Sequence, residues 1–425
     1  MTKKKKVQWF WMWVIGSVTL RLILVYFPRN LNLSSRPEVS TPLTSLRRLA
    51  EGYWLKRSSM SPYAGSMYHG SPLLLTFLGP LTVTRIEGQP DQLLCSLVFV
   101  IADVISATLI RAAGRSLQAA YSSSLKVIGL HQLSETSGLA SLAAFGWVLA
   151  THLSLYPSIL IIPVILLLGY GPDAPPRKLF QQRIKLEVGN SSSIGSNNLK
   201  EELKDQSSVL KVFAWRLVVH FFIWILLWSS YVLVLCGIYL QKHGGLQELY
   251  RRTYGFILTI PDLSPNIGVL WYFFAEVFDF FRSFFLMVFH GNILLMIMPL
   301  ALRLNHRPCF LAFVYIVISS LLKSYPSVGD SALYLGLLGL FSYELKDIRF
   351  SFLLFAGYVG VSLLSPVMHN LWIWRGTGNA NFYYATAIAY ALFQVALVIE
   401  CVNCMLNHDR MVTKLTTTKL KDAKS

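Results

Sequence analysis

Residues 254–276 read YGFILTIPDLSPNIGVLWYFFAE, which places Pro261, Asp262, Pro265, Asn266 and Gly268 between two long apolar runs. Proline lacks a backbone donor and glycine loosens the chain, so one helix ends here and another begins. Whether the break lies in water or against lipid decides the fold, and the surrounding chain answers that. Of 425 residues, 54% are hydrophobic, 13% aromatic and only 14% charged, with a mean hydropathy of +0.50. A soluble domain carries about a quarter charged residues and spaces its apolar positions at helix or strand period. Here they come in unbroken blocks, which marks a multispanning membrane protein.

A spanning helix needs ~20 apolar residues. Candidate blocks lie at 7–27, 92–113, 139–152, 155–170, 213–240, 284–304, 309–322, 331–341, 350–364 and 382–404. The expectation is an all-α polytopic protein with about ten transmembrane helices, several of them short. It forms a single membrane domain over 1–425. The blocks lack the period-two alternation of barrel strands.

Orientation follows from where Lys and Arg collect. Lys3, Lys4, Lys5 and Lys6 precede the first block and hold the N-terminus in the cytosol. The polar insert 171–211, the turn from Arg303 to Arg307 and the basic tail 405–425 share that side, so an even number of spans puts both termini in the cytosol. The region 28–90 becomes the first lumenal loop despite Arg36, Arg47, Arg48, Lys56, Arg57 and Arg85, because long loops cross regardless of charge. The net charge of +17 is then topogenic signal and attraction to anionic head groups. Without a basic soluble domain it does not point to nucleic acid.

On this map the helix-breaking stretches 61–65, 260–268, 323–330 and 376–381 are all lumenal. Each alone reads as a turn. Four on one face, where irregular backbone needs protein or water to satisfy it, suggest a shared cavity or docking surface. Within the lumenal loop 241–283, Glu276, Asp279 and Arg282 recur at three-residue spacing among aromatics, the pattern of an interfacial helix.

Catalytic signals are sparse. No Asp-x-Asp occurs, and Glu38, Glu51 and Glu87 of the first lumenal loop are not closely paired. Cys401 and Cys404 have CxxC spacing but no second pair, and Cys95, Cys236 and Cys309 read as packing residues. Residues 151–157 form a tight hairpin. Asp103 is the clearest intramembrane charge, facing either a pathway or a neighbouring helix. Transport is disfavoured, since the breaks sit on one face and no inverted repeat is evident.

The stretches SPYAG at 61–65, 254–276, KSYPSVGD at 323–330, GNANFYY at 378–384 and, more weakly, SLYPS at 154–158 together resemble subunit U of the glycosylphosphatidylinositol (GPI) transamidase, the PIG-U family, with wording similar to a plant member. The resemblance implies a multipass endoplasmic reticulum subunit on a scaffold similar to the polyprenyl-sugar-dependent (GT-C) glycosyltransferases. It implies no catalytic residue, metal or cofactor of its own. The transamidase thiol would sit on a caspase-like subunit, with the K, S, T and GPAA-type components as further partners and the GPI lipid as ligand. The alternative is a mannosyltransferase of GPI assembly using dolichol-phosphate-mannose. Carried over residue by residue, Asn379 and Asn381 are expected to contact the GPI head group. Asp262, Asn266, Lys323, Tyr325 and Asp330 would contact it or organise its loops, and Trp271, Tyr272, Phe273 and Phe274 would line a lipid-facing wall. Residues 129–138 stand where the family usually carries more hydrophobic sequence with an Asn-Pro motif, so about two spans read as missing. The first block has no small-residue cleavage pattern and is expected to remain as an anchor, and the tail carries no Lys-Asp-Glu-Leu. Of the sequons at Asn32 and Asn190, only the first should be lumenal.

Overall fold

The computed structural model describes residues 3–26, 35–83, 85–86, 89–90, 93–126, 137–174 and 213–422. Both sequons, Glu87, residues 127–136 and the insert from 175 onward lie outside them. The chain is an all-α polytopic membrane protein; the only strands described are a two-residue antiparallel ladder, Arg85–Ile86 with Gln89–Pro90. Every apolar block expected from the sequence is helical.

Among the described residues, six helices are long and apolar enough to cross a membrane: Gln8–Tyr26, Leu93–Ala119, Trp215–His243, Asp279–Arg303, Ser351–Trp374 and Ala380–Leu415. Five shorter apolar helices accompany them, namely Pro72–Thr82, Ala140–Ser154, Tyr156–Tyr170, Pro308–Leu322 and Val328–Phe341. The hairpin at 151–157 is built on Leu155, whose φ of 61° ends one helix before Pro157 opens the next turn. Its amide bonds the Thr151 carbonyl at 2.7 Å, and its own carbonyl accepts from Ser158 at 3.0 Å.

The region 28–90 holds the helices Leu46–Arg57 and Pro72–Leu78. The former carries Arg47, Arg48, Lys56 and Arg57 and so has no apolar run to reveal it, while the latter starts on a Ser71 cap with Pro72 in the first turn. One expectation is corrected: the aromatic helix is not continuous. It runs Leu270–Glu276, breaks at Phe278 (ψ 139°), and a new helix Asp279–Arg303 begins. Glu276 therefore shares no helical stripe with Asp279 and Arg282. Asp279 instead sits in a first turn, where a carboxylate complements the helix dipole.

The chain divides into two compact units, one of Met1–Ala112, Leu233–Glu276 and Ser324–Gly329, the other of Ala113–Val232, Val277–Lys323 and Asp330–Ser425. The core of the second is centred on the Pro308–Leu322 helix, where Phe310, Phe313, Val314, Tyr315 and Val317 are buried with Ile293, Ile297 and Phe341. Beside it Arg307, 1% exposed, donates to Asp409 at 2.5 Å and lies 3.8 Å from Glu344, while His306 bonds Asp409 at 2.9 Å. Asp173 accepts the Cys309 and Phe310 amides at 2.6 and 3.1 Å, satisfying two orphan donors at that helix start. Burial pushes the Asp173 carboxyl up to about 6, against the pull of Arg307 and the two amides. A hydrogen-bonded chain of Ser331, Tyr390, Tyr358, Tyr334 and Gln394 satisfies the buried hydroxyls between the last helices.

The Ser351–His369 and Ala380–Asp422 helices touch at Gly357, where an added Cβ would stand 2.1 Å from the Phe393 ring, whereas one at Gly360 would meet nothing within 4 Å. Gly357→Val is expected to cost about 1–3 kcal/mol through overpacking. Thermal unfolding in detergent should show the loss, and Gly360→Ala should unfold like the unmodified chain.

Candidate functional site

In the first unit, the Gly255–Thr259 helix ends at Ile260, left-handed at φ 50° and fully buried, and Pro261 prevents its continuation. The chain then folds on its own polar side chains. Asp262 Oδ1 accepts the Ser264 amide at 2.9 Å and the Ser264 hydroxyl, and its Oδ2 lies 2.7 Å from Arg48 Nη2. Asn266 donates to the Ser264 carbonyl at 3.2 Å and accepts the Gly268 amide at 2.8 Å. Gly268 is needed for contact, because a Cβ there would stand 2.6 Å from Pro326. Residues 324–328 thus pack on this segment. Tyr325 stacks on Phe256 with centroids 5.2 Å apart and accepts the Asp262 amide at 3.3 Å, Ser324 donates to the Ile257 carbonyl at 2.7 Å, and Val328 bonds the Glu38 carbonyl at 2.9 Å. His69 completes the ring stack 3.6 Å from Phe256, its nitrogens 3.1 Å from the Ser66 and Arg252 carbonyls. Burial, with Arg48 and Arg252 nearby, lowers its pKa against those two hydrogen bonds, so the ring is neutral at pH 7.

This geometry revises several assignments. Asn266 is 1% exposed and Tyr325 is fully buried, so both organise the loops and neither presents itself to a head group. Trp271 and Phe274, 3% and 2% exposed, share the inward side of the Leu270–Glu276 helix. Only Tyr272 and Phe273 of the four aromatics keep open surface. Arg48, Ser264, His69 and Phe256 are structural partners that the motif reading missed; nothing in the spacing of Arg48 or His69 points to them, since both lie far from residue 262 in sequence. Asp103 pairs with Arg21 across the Lys3–Tyr26 and Leu93–Lys126 helices. Each helix carries its charge inside an apolar span, and that was a readable sign of pairing.

In the second unit, Lys323 binds both carboxylate oxygens of Asp330 at 2.9 and 3.3 Å, bracketing the Ser324–Gly329 excursion. Asn379 and Asn381 are exposed at the start of the Ala380–Asp422 helix. Asn379 Oδ1 accepts the Phe382 amide at 3.2 Å, the bond of a helix N-cap. The preceding turn is fixed by Gly376 at φ 65° and by the Leu371 carbonyl, which receives the Thr377 and Gly378 amides at 3.0 and 3.2 Å. Ile373, Trp374 and Phe382, in the same stretch of chain, are exposed as well. Among the described residues, no three His, Cys, Asp or Glu side chains group as metal ligands, and Cys401 and Cys404 are buried.

The Asp262 cradle has a pH signature. Burial raises its carboxyl, but the two Ser264 donors and Arg48 outweigh that and hold it below the usual carboxylate range. A depressed carboxyl contributes stability above its unfolded pKa of about 4 and loses it as pH falls through the folded value. Asp262→Asn should cost roughly 1–3 kcal/mol at neutral pH, the worth of charge-assisted hydrogen bonds. Its gap in thermal stability from the unmodified chain should stay constant from about pH 8 to 5 and narrow below about pH 4.

A family model described as GPI transamidase subunit PIG-U matches residues 15–136 and 124–390. The two segments overlap at residues 124–136. The GPI-anchor transamidase component PIGU of Homo sapiens is 28% identical, with 94% of this chain and 94% of that protein covered. The GPI transamidase component GAB1 of Saccharomyces cerevisiae is also 28% identical, over 91% of this chain and 92% of that protein. With most of its length matched and every apolar block in place, the chain belongs to the PIG-U family of GPI transamidase subunits.

Proposed function

We propose that this chain is the non-catalytic membrane subunit that binds the GPI lipid and presents it for attachment to the C-terminus of precursor proteins. It acts in the endoplasmic reticulum membrane with both termini cytosolic. A caspase-like subunit supplies the nucleophile, and the K, S, T and GPAA-type components complete the complex. The observation that carries the reading is the exposure of Asn379 and Asn381 at a helix N-terminus, with Ile373, Trp374 and Phe382 exposed in the same stretch of chain. Amide side chains offer donors and an acceptor without charge, so they serve both phosphate and sugar hydroxyls. The positive end of a helix favours an anion. Aromatic rings prefer the membrane interface, where the head group of an anchored lipid lies. The other polar candidates are engaged inside the fold, Lys323 with Asp330 and Asp262 with Arg48 and Ser264, which supports a framework role for them.

The test is complementation in cells lacking the family subunit, scoring GPI-anchored protein at the surface together with co-purification of the complex. Asn379→Ala with Asn381→Ala should assemble but restore little anchoring. Because alanine also removes the cap, worth about 0.5–2 kcal/mol, Asn379→Asp is the sharper variant. It caps equally well yet repels phosphate, so the complex should accumulate normally while anchoring falls. Full anchoring by Asn379→Asp and by the double variant would remove the amides from the lipid site.

A further inference from the structure

A polar group on the outer side of a spanning helix is costly unless another helix covers it. The Asp279–Arg303 helix carries such groups near its middle. Its inward face is Ile293 and Ile297, buried in the core of the second unit. The face turned outward runs Val288, Asn292, Leu295 and Pro299, at i, i+4, i+7 and i+11, and all four are exposed. The Asn292 side chain makes no hydrogen bond to any described residue. One turn on, Pro299 has no N–H to give, so the Leu295 carbonyl lacks its i+4 donor. Beside Asn292, a Cβ added at Gly291 would meet nothing within 4 Å, which leaves room for a second backbone to come close.

We propose that this face docks one transmembrane helix of another subunit, a helix bearing a Ser, Thr, Asn or Gln side chain at mid-depth. An exposed amide that bonds no described residue, a carbonyl whose i+4 partner is a proline and a small residue on one otherwise apolar face fit such a helix, and acyl chains cannot bond the amide. The inference rests on the reading of the chain as a transamidase subunit, and it adds which surface makes the contact.

The test uses the full chain in cells lacking the family subunit. A photo-crosslinking amino acid replaces Leu295 or, as a control on another helix, Phe352, which is 82% exposed. The Leu295 probe should give an adduct with one identified membrane-spanning transamidase subunit, and the Phe352 probe should not give that adduct. Asn292→Leu should lower recovery of the same subunit roughly threefold to tenfold, the worth of one interhelical hydrogen bond. Asn292→Gln should restore it. The purified Asn292→Leu chain should keep its melting temperature, which separates lost docking from lost folding. Adducts with lipid alone, with a second copy of this chain, or with nothing overturn the proposal, as does unchanged recovery by Asn292→Leu. If the unmodified chain recovers the complex and the Leu295 probe captures no subunit, the docking face alone falls. If the unmodified chain recovers no subunit, both readings fall.

Discussion

A peptide group in hydrocarbon has no water to bond, and the structure is organised by that constraint. It keeps the spanning segments helical, and it requires each interruption to supply its own donors and acceptors. At residues 260–268 the carboxylate of Asp262 and the amide of Asn266 do this, taking the Ser264 and Gly268 amides that a helix would have satisfied. At the start of the Pro308–Leu322 helix, Asp173 performs the same service from a distant part of the chain. The charges obey the rule as well. Arg307 is enclosed, and it stands only because Asp409 and Glu344 are enclosed with it.

The same rule separates framework from surface. Polar residues drawn into hydrogen bonds, such as Asn266, Tyr325 and Ser324, fix residues 256–268 and 324–326 against each other. Asn379 and Asn381 are exposed where they open a helix, and Asn379 supplies the side-chain acceptor that the backbone needs there. Asn292 is the opposite case, an exposed polar side chain on an apolar helix that bonds no described residue.

Much of this was legible in the sequence. Block length and hydropathy located the six described helices that are long and apolar enough to cross a membrane, since the hydrophobic requirement acts on composition alone. What was not legible was which way a residue faces. Trp271 and Phe274 look like their neighbours Tyr272 and Phe273, yet the turn of one short helix sends the first pair into the core. The aromatic segment reads as one helix because nothing in its composition announces the break at Phe278. The amphipathic Leu46–Arg57 helix was hidden by its charges.

The sequence by itself determined that this is a helical membrane protein, where its long apolar helices lie, and, through its motifs, the family to which it belongs. Those features depend on local hydrophobicity and on residues adjacent in the chain. Only the tertiary structure decided that Arg48 pairs with Asp262, that Tyr325 stacks inside on Phe256, that Arg21 answers Asp103, and that two amides remain exposed while their fellow candidates are consumed. These are contacts between segments far apart in the chain. A buried polar group takes whichever partner the packing brings within reach, and spacing along the sequence does not record it.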